Sequence, residues 1–207
     1  MKLERYLQTE FQNVTLFEDS FVGKELSIRL ELEKNLYQLK DGSDDINFDY
    51  FHSVYEKSIA LFEDIFREEE QFYLVTHVRS ELNFAQKTAT KVFHHLKHKN
   101  DKYKMEYKKK VINEEEKIIQ YAVLLPSKDA LDYRMLIKAI CNQDFKDLQP
   151  RLRHKYTYYP EVFFVNVDRN IILNIFDDRG CFVLFSDEDE LNGFRNVYKD
   201  NIFDDTY

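Results

Sequence analysis

Residues 161–185 read Glu161-Val162-Phe163-Phe164-Val165-Asn166-Val167, Asp168-Arg169-Asn170, Ile171-Ile172-Leu173-Asn174-Ile175-Phe176-Asp177, Asp178-Arg179-Gly180, Cys181-Phe182-Val183-Leu184-Phe185. Three apolar runs of strand length, 161–167, 171–177 and 181–185, are joined by two short turns. Connections this short permit only antiparallel neighbours, so the segment predicts a three-stranded meander. The first turn suits a left-handed Asn170. The second fits a type I turn closed by a left-handed Gly180. Asn166 and Asn174 alone interrupt the apolar character, so both faces of the sheet must be covered.

Working outward, Leu26, Ile28, Leu30 and Leu32 alternate with polar residues, which describes a strand with one wet face. Asp41-Gly42-Ser43-Asp44-Asp45 reads as a loop. Asn47 can cap a helix running to about Arg67, in which Phe48, Phe51, Tyr55, Ile59, Phe62 and Phe66 form an inward stripe. Phe72 to Val78 is a buried strand, so 26–78 reads as a strand–helix–strand unit. Leu3, Tyr6, Leu7 and Phe11 predict a short helix at the start of the chain. Leu82, Ala85, Ala89, Val92 and Leu96 predict another over 82–98, against the propensity of Thr88 and Thr90. A hairpin follows, with Tyr103, Met105 and Tyr107 alternating with lysines before apolar 118–125. A helix opened by Pro126-Ser127 runs to about Phe145 with Tyr133, Leu136, Ile137 and Ile140 inward. Ser186 with Asp189 resembles a capping box for a final helix carrying Leu191, Phe194 and Tyr198. The acidic end through Asp204 and Asp205 is expected to fray. The fold class is therefore α+β: a single domain over residues 1–207, with a mixed central sheet, a C-terminal three-stranded antiparallel meander and helices on both faces.

Eighteen Phe and 14 Tyr supply a substantial core, while 4 Gly and 3 Pro leave little room for linkers. Charges at Lys2, Glu4 and Arg5 break up any leader-like apolar run, and the longest apolar stretches are strand-length, so a cytoplasmic protein without a membrane span is expected. Cys141 and Cys181 match no metal or redox spacing and read as buried thiols. Net charge is −8, yet seven lysines in 97–110 against Asp101 and Glu106 give +5 there, leaving −13 elsewhere. That acidity disfavours nucleic acid and anionic membranes.

The aromatic residue followed by Asp177-Asp178-Arg179-Gly180 between two strands resembles the signature of a bacterial family catalogued as domain of unknown function 3885. Two further segments are similar to it: Tyr50-Phe51-His52-Ser53-Val54-Tyr55-Glu56-Lys57 through Phe66, and Ala139-Ile140-Cys141-Asn142-Gln143-Asp144-Phe145. The pattern has Arg where Lys57 stands and Tyr where Phe176 stands. The resemblance covers about residues 26–199. It implies a fold and a bacterial cytoplasmic setting, and no activity.

Asp177, Asp178 and Arg179 are the candidate binding residues: two carboxylates suit a cation and a guanidinium suits an anion. Turn chemistry and a local ion pair account for the same residues without a ligand. His94 and His98 could share a zinc ion on a helix, but a third ligand is missing. The lysines of 97–110 alternate with apolar residues as a protected edge strand would, and no arginine accompanies them. Glu115-Glu116-Lys117 has the Glu-x-Lys spacing of some nucleases without an Asp on the preceding strand. No Walker loop, nucleophile elbow or His-Glu-x-x-His is present. The expectation is thus a non-enzymatic protein that binds another protein through an acidic surface, immunity or antitoxin in type. The alternative is an enzyme of unfamiliar type acting at Asp177, Asp178 and Arg179. No metal or other cofactor, nucleic acid or membrane partner is expected.

Overall fold

The computed structural model describes residues 2–12, 14–16, 21, 24–81, 88–152 and 159–203. Seven strands form one sheet: β1 (Ser27–Glu31), β2 (Phe72–Glu81), β3 (Glu106–Val111), β4 (Glu116–Leu125), β5 (Glu161–Asn166), β6 (Ile171–Ile175) and β7 (Gly180–Phe185). Their spatial order is β1-β7-β6-β5-β2-β4-β3. Four α-helices accompany them among the described residues: α1 (Leu3–Glu10), α2 (Phe48–Ile65), α3 (Tyr133–Cys141) and α4 (Glu188–Tyr198). The α+β class and the C-terminal meander are as the sequence predicts.

The sheet is antiparallel at every pairing, not mixed. β1 and β2, joined through α2, do run in the same direction, but β7, β6 and β5 lie between them. The meander gives each of these two strands an antiparallel partner, so they never need to pair with each other.

Alternation along each strand divides the core in two. Ile28, Leu30, Leu74, Val123, Phe164, Leu173, Val183 and Phe185 face α2, α3 and Leu191 of α4. Tyr73, Val75, Ala122, Phe163, Val165, Ile172, Phe182 and Leu184 face α1 together with Val14, Leu16 and Phe21. Both faces are therefore covered, as the apolar run 161–185 requires. Asn166, fully buried, resolves its own polarity: Nδ2 donates to the Ile65 and Glu70 oxygens, and Oδ1 accepts from the Asp168 and Arg169 amides.

The aromatic stripe of α2 packs ring against ring in the core. Phe62 stacks on Phe66 at 4.4 Å between centroids and on Tyr133 at 4.7 Å, and meets Phe164 edge-on at 5.0 Å. Asn47 caps the helix, its side chain accepting from Asp49 N. Phe48, at the head of the predicted stripe, is instead 65% exposed.

Several local expectations change. Residues 82–87 lie outside the described residues, and Thr88–His95 is a 3-10 helix rather than α; β-branched Val92 works against the α form. After Pro126-Ser127 only a 3-10 turn forms, and Asp132, accepting from Met135 N, opens α3. Asp187, not Ser186, caps α4 by accepting from Glu190 N. Asn170 is left-handed at φ 55°. Gly180 is not: it opens β7 outside the left-handed region. Residues 204–207, where fraying was expected, lie outside the described residues. β3 forms the sheet edge with Lys108, Lys109 and Lys110 exposed. Cys141 and Cys181 are buried free thiols, pushed up by burial to about 12 for Cys141. No helix among the described residues is long and apolar enough to cross a membrane.

Candidate functional site

The turn between β6 and β7 carries Phe176, Asp177, Asp178 and Arg179, closed by Phe176 N donating to Gly180 O at 3.2 Å. Asp177 Oδ1 accepts from Arg179 N at 2.8 Å, the side chain shaping its own turn. Asp177 Oδ2 accepts from Arg179 Nε at 2.9 Å and also from Nη2. The Asp177 carboxylate is buried, while the Arg179 side chain is 68% exposed.

Asp178 is buried as well, at 1% exposed. Its Oδ2 accepts from Tyr50 Oη on α2 at 2.9 Å and from Gln38 Nε2 on the preceding loop. Burial raises the Asp178 carboxyl above its ordinary range; Gln38 and Tyr50 pull it back and Asp177 adds to the rise. Burial, followed by the Asp178 charge, pushes Tyr50 far above its usual value, so its hydroxyl stays a donor.

The segment after α3 completes the cluster. Gln143 Nε2 donates to Phe176 O, and one oxygen each of Asp144, Asp177 and Asp178 lie within 4.8 Å of one another. Among the described residues, this is the group of three side chains placed to hold a metal ion. His94 and His98 belong to no such group. Two cavities among the described residues lie elsewhere. One of 460 Å³ lies beside α1 over His77 and Gln120, and a groove of 650 Å³ runs past Glu63, Arg169 and Glu190. Neither is lined by Asp177, Asp178 or Arg179.

Of the residues brought to this tip, sequence reasoning singled out Asp177, Asp178 and Arg179 and missed Gln38, Tyr50, Gln143 and Asp144. A signal existed for three of these. Tyr50, Gln143 and Asp144 lie in the two segments that, with the Asp-Asp-Arg-Gly turn, carry the family resemblance, and all three segments converge here. Gln38 had no such signal.

Because Arg179 is largely in solvent, its ion pair contributes little. Arg179→Ala is expected to lower stability by less than about 1 kcal/mol, since the backbone amide still serves Asp177 Oδ1. Urea titration of the variant checks this, and a loss several times larger would show the guanidinium to be a fold element.

The chain belongs to a family: residues 3–206 match the model described as "Domain of unknown function (DUF3885)". The match extends beyond residues 26–199 at both ends. The chain is also similar to "Uncharacterized protein YnaE" of Bacillus subtilis (strain 168), with 31% identity over 211 residues, covering 97% of this chain and 96% of that protein. No solved structure matches.

Proposed function

We propose that this protein acts by binding another protein, one with a basic surface, and not by catalysing a reaction. The observation that carries the reading is the ribbon between β1 and α2. Leu39 and Ile46 pair across it, Asn47 N donates to Gln38 O at 2.9 Å, and Asn47 Nδ2 donates to Tyr37 O at 2.9 Å. This ordered ribbon exposes Leu36, Tyr37, Leu39 and Phe48, with Tyr37 75% exposed. Around them Asp41, Asp44, Asp45 and Asp49 are exposed against two lysines of the same segment, Lys34 and Lys40.

Exposed aromatic and aliphatic side chains with a predominantly acidic rim are what a protein interface presents, with the charge steering the approach. The buried carboxylates at the adjacent tip support the same reading. Asp178 is committed to Tyr50 and Gln38, and through Gln38 it fixes the ribbon. Neutralising a basic toxin in a bacterial cytoplasm, an immunity role, is the version that best suits an acidic surface.

A photo-crosslinking residue placed at Tyr37 in the full chain tests this in cells. Tyr103, 90% exposed beside the lysine-rich edge, serves as the comparison site. The expected result is an adduct with a basic protein at Tyr37 and none at Tyr103, lost when Asp41, Asp44 and Asp45 are changed to Asn. Equal adducts at both sites, or adducts indifferent to those changes, would overturn the proposal.

A further inference from the structure

We infer that Asp144, Asp177 and Asp178 form a site for a hard divalent cation of the calcium class, which ties the end of α3 to the β6–β7 turn. Three carboxylate oxygens within 4.8 Å of one another span what oxygens around one calcium ion span, since each sits about 2.3–2.6 Å from the metal. Three carboxylates with one guanidinium, that of Arg179 on Asp177, leave a local charge that a dication neutralises. The donors are all oxygens, which suits a hard ion and gives zinc or copper no nitrogen or sulfur.

Two buried oxygens support the site, one within the cluster and one, on Gln143, separate from it. Asp178 spends Oδ2 on Tyr50 and Gln38, yet Oδ1 is buried with no hydrogen-bond partner. Gln143 is 9% exposed and spends Nε2 on Phe176 O, the residue before Asp177, leaving Oε1 buried and unpartnered. Oε1 shares a carbon with that nitrogen, so it lies at the same turn. An unpartnered buried acceptor is costly, and both orphans here are acceptors. A cation satisfies such atoms, and another carboxylate or carbonyl does not. Asp144 is exposed and opens the cluster to solvent, providing an entry path.

The site stands apart from the partner-binding proposal, since crosslinking at Tyr37 can fail while cation binding holds. Terbium is a suitable probe, because the Tyr50 ring, whose hydroxyl contacts Asp178, can sensitise its luminescence. The full chain is expected to give saturable tyrosine-sensitised emission that calcium displaces more effectively than magnesium, together with a melting temperature raised by calcium and restored by chelator. Asp144→Asn, at an exposed position, is expected not to lower calcium-free melting, since it relieves repulsion from Asp177, while weakening calcium binding at least tenfold and removing the thermal shift. Tyr50→Phe is expected to keep calcium binding. No saturable calcium binding up to about 1 mM, the weak end for protein calcium sites, would overturn the site. So would affinity unchanged in Asp144→Asn, or magnesium binding that calcium does not displace.

Discussion

Gly180→Val is expected to lower the unfolding free energy by about 3 kcal/mol, at the upper end of ordinary overpacking costs. A Cβ at Gly180 would sit 2.5 Å from the Leu30 carbonyl oxygen and 2.8 Å from the Phe176 ring. The ring can rotate away, but the carbonyl belongs to β1, where Leu30 pairs with Cys181 and Glu31 with Gly180 itself. Relieving the contact means pulling the edge strand off β7, which also disturbs Leu32 N donating to Arg179 O at 3.1 Å. Gly180→Ala should already show most of the loss, because the first carbon makes the clash. Gly193 provides the contrast: it lies in α4 with nothing within 4 Å of a built Cβ, so Gly193→Ala should stabilise by up to about 1 kcal/mol. Denaturant midpoints for the three variants decide the matter. A Gly180→Ala midpoint equal to that of the unaltered protein would mean that β1 does not pack closely against this turn.

The same glycine marks the boundary of what the sequence makes legible. Composition and turn spacing placed a glycine at the end of a hairpin correctly, but for the wrong reason. Its necessity comes from a strand far away in the chain, not from its own φ, and a local rule cannot see a distant carbonyl. Periodicity served well where one face of one element meets one layer, as in α1, β1 and most of α2. It failed at Phe48, because a stripe that begins before the helix reaches its neighbours has nothing to pack on. Sheet order was illegible for a similar reason: the strand–helix–strand rhythm of 26–78 says that β1 and β2 run alike, not that three later strands intervene. At the tip, Asp177 could be read from turn chemistry, whereas Asp144, Gln38 and Tyr50 reach it only through the folded chain.

Between about pH 6.5 and pH 4 the protein is expected to lose about 3 kcal/mol of stability through a single histidine, since each tenfold difference in proton affinity between the folded and unfolded chain is worth about 1.4 kcal/mol. His77, in the middle of β2, is buried. Burial drives its pKa down to about 4; the hydrogen bond with Gln120 opposes this, and Arg79 and Lys110 add to the depression. Its Nε2 lies 2.9 Å from Gln120 Oε1 on β4, and its Nδ1 lies 3.8 Å from Glu161 Oε2 on β5. The folded chain thus holds His77 neutral, while the unfolded chain protonates it near its ordinary value of about 6.5. Above that value both states are neutral and the contribution is complete. As pH falls from there towards 4, the unfolded state binds a proton that the folded state refuses, and stability drains away. Glu33 acts lower on the scale: burial raises its pKa, but Lys57, Ser53 and the Asn35 amide outweigh that and bring it to about 2, so its contribution is lost only below its unfolded value. His95, lowered by burial, shares the sign of His77, so the assignment needs a difference between two proteins. Urea unfolding of the unaltered chain and of His77→Gln, from about pH 7 to pH 4.5, supplies it. His77→Gln should be the less stable near neutrality, because the ring packs on Phe163 at 5.1 Å between centroids, and should close the gap as the pH falls. A stability difference that does not change with pH would mean that His77 takes up its proton equally well in the folded chain, which a ring buried between β4 and β5 does not allow.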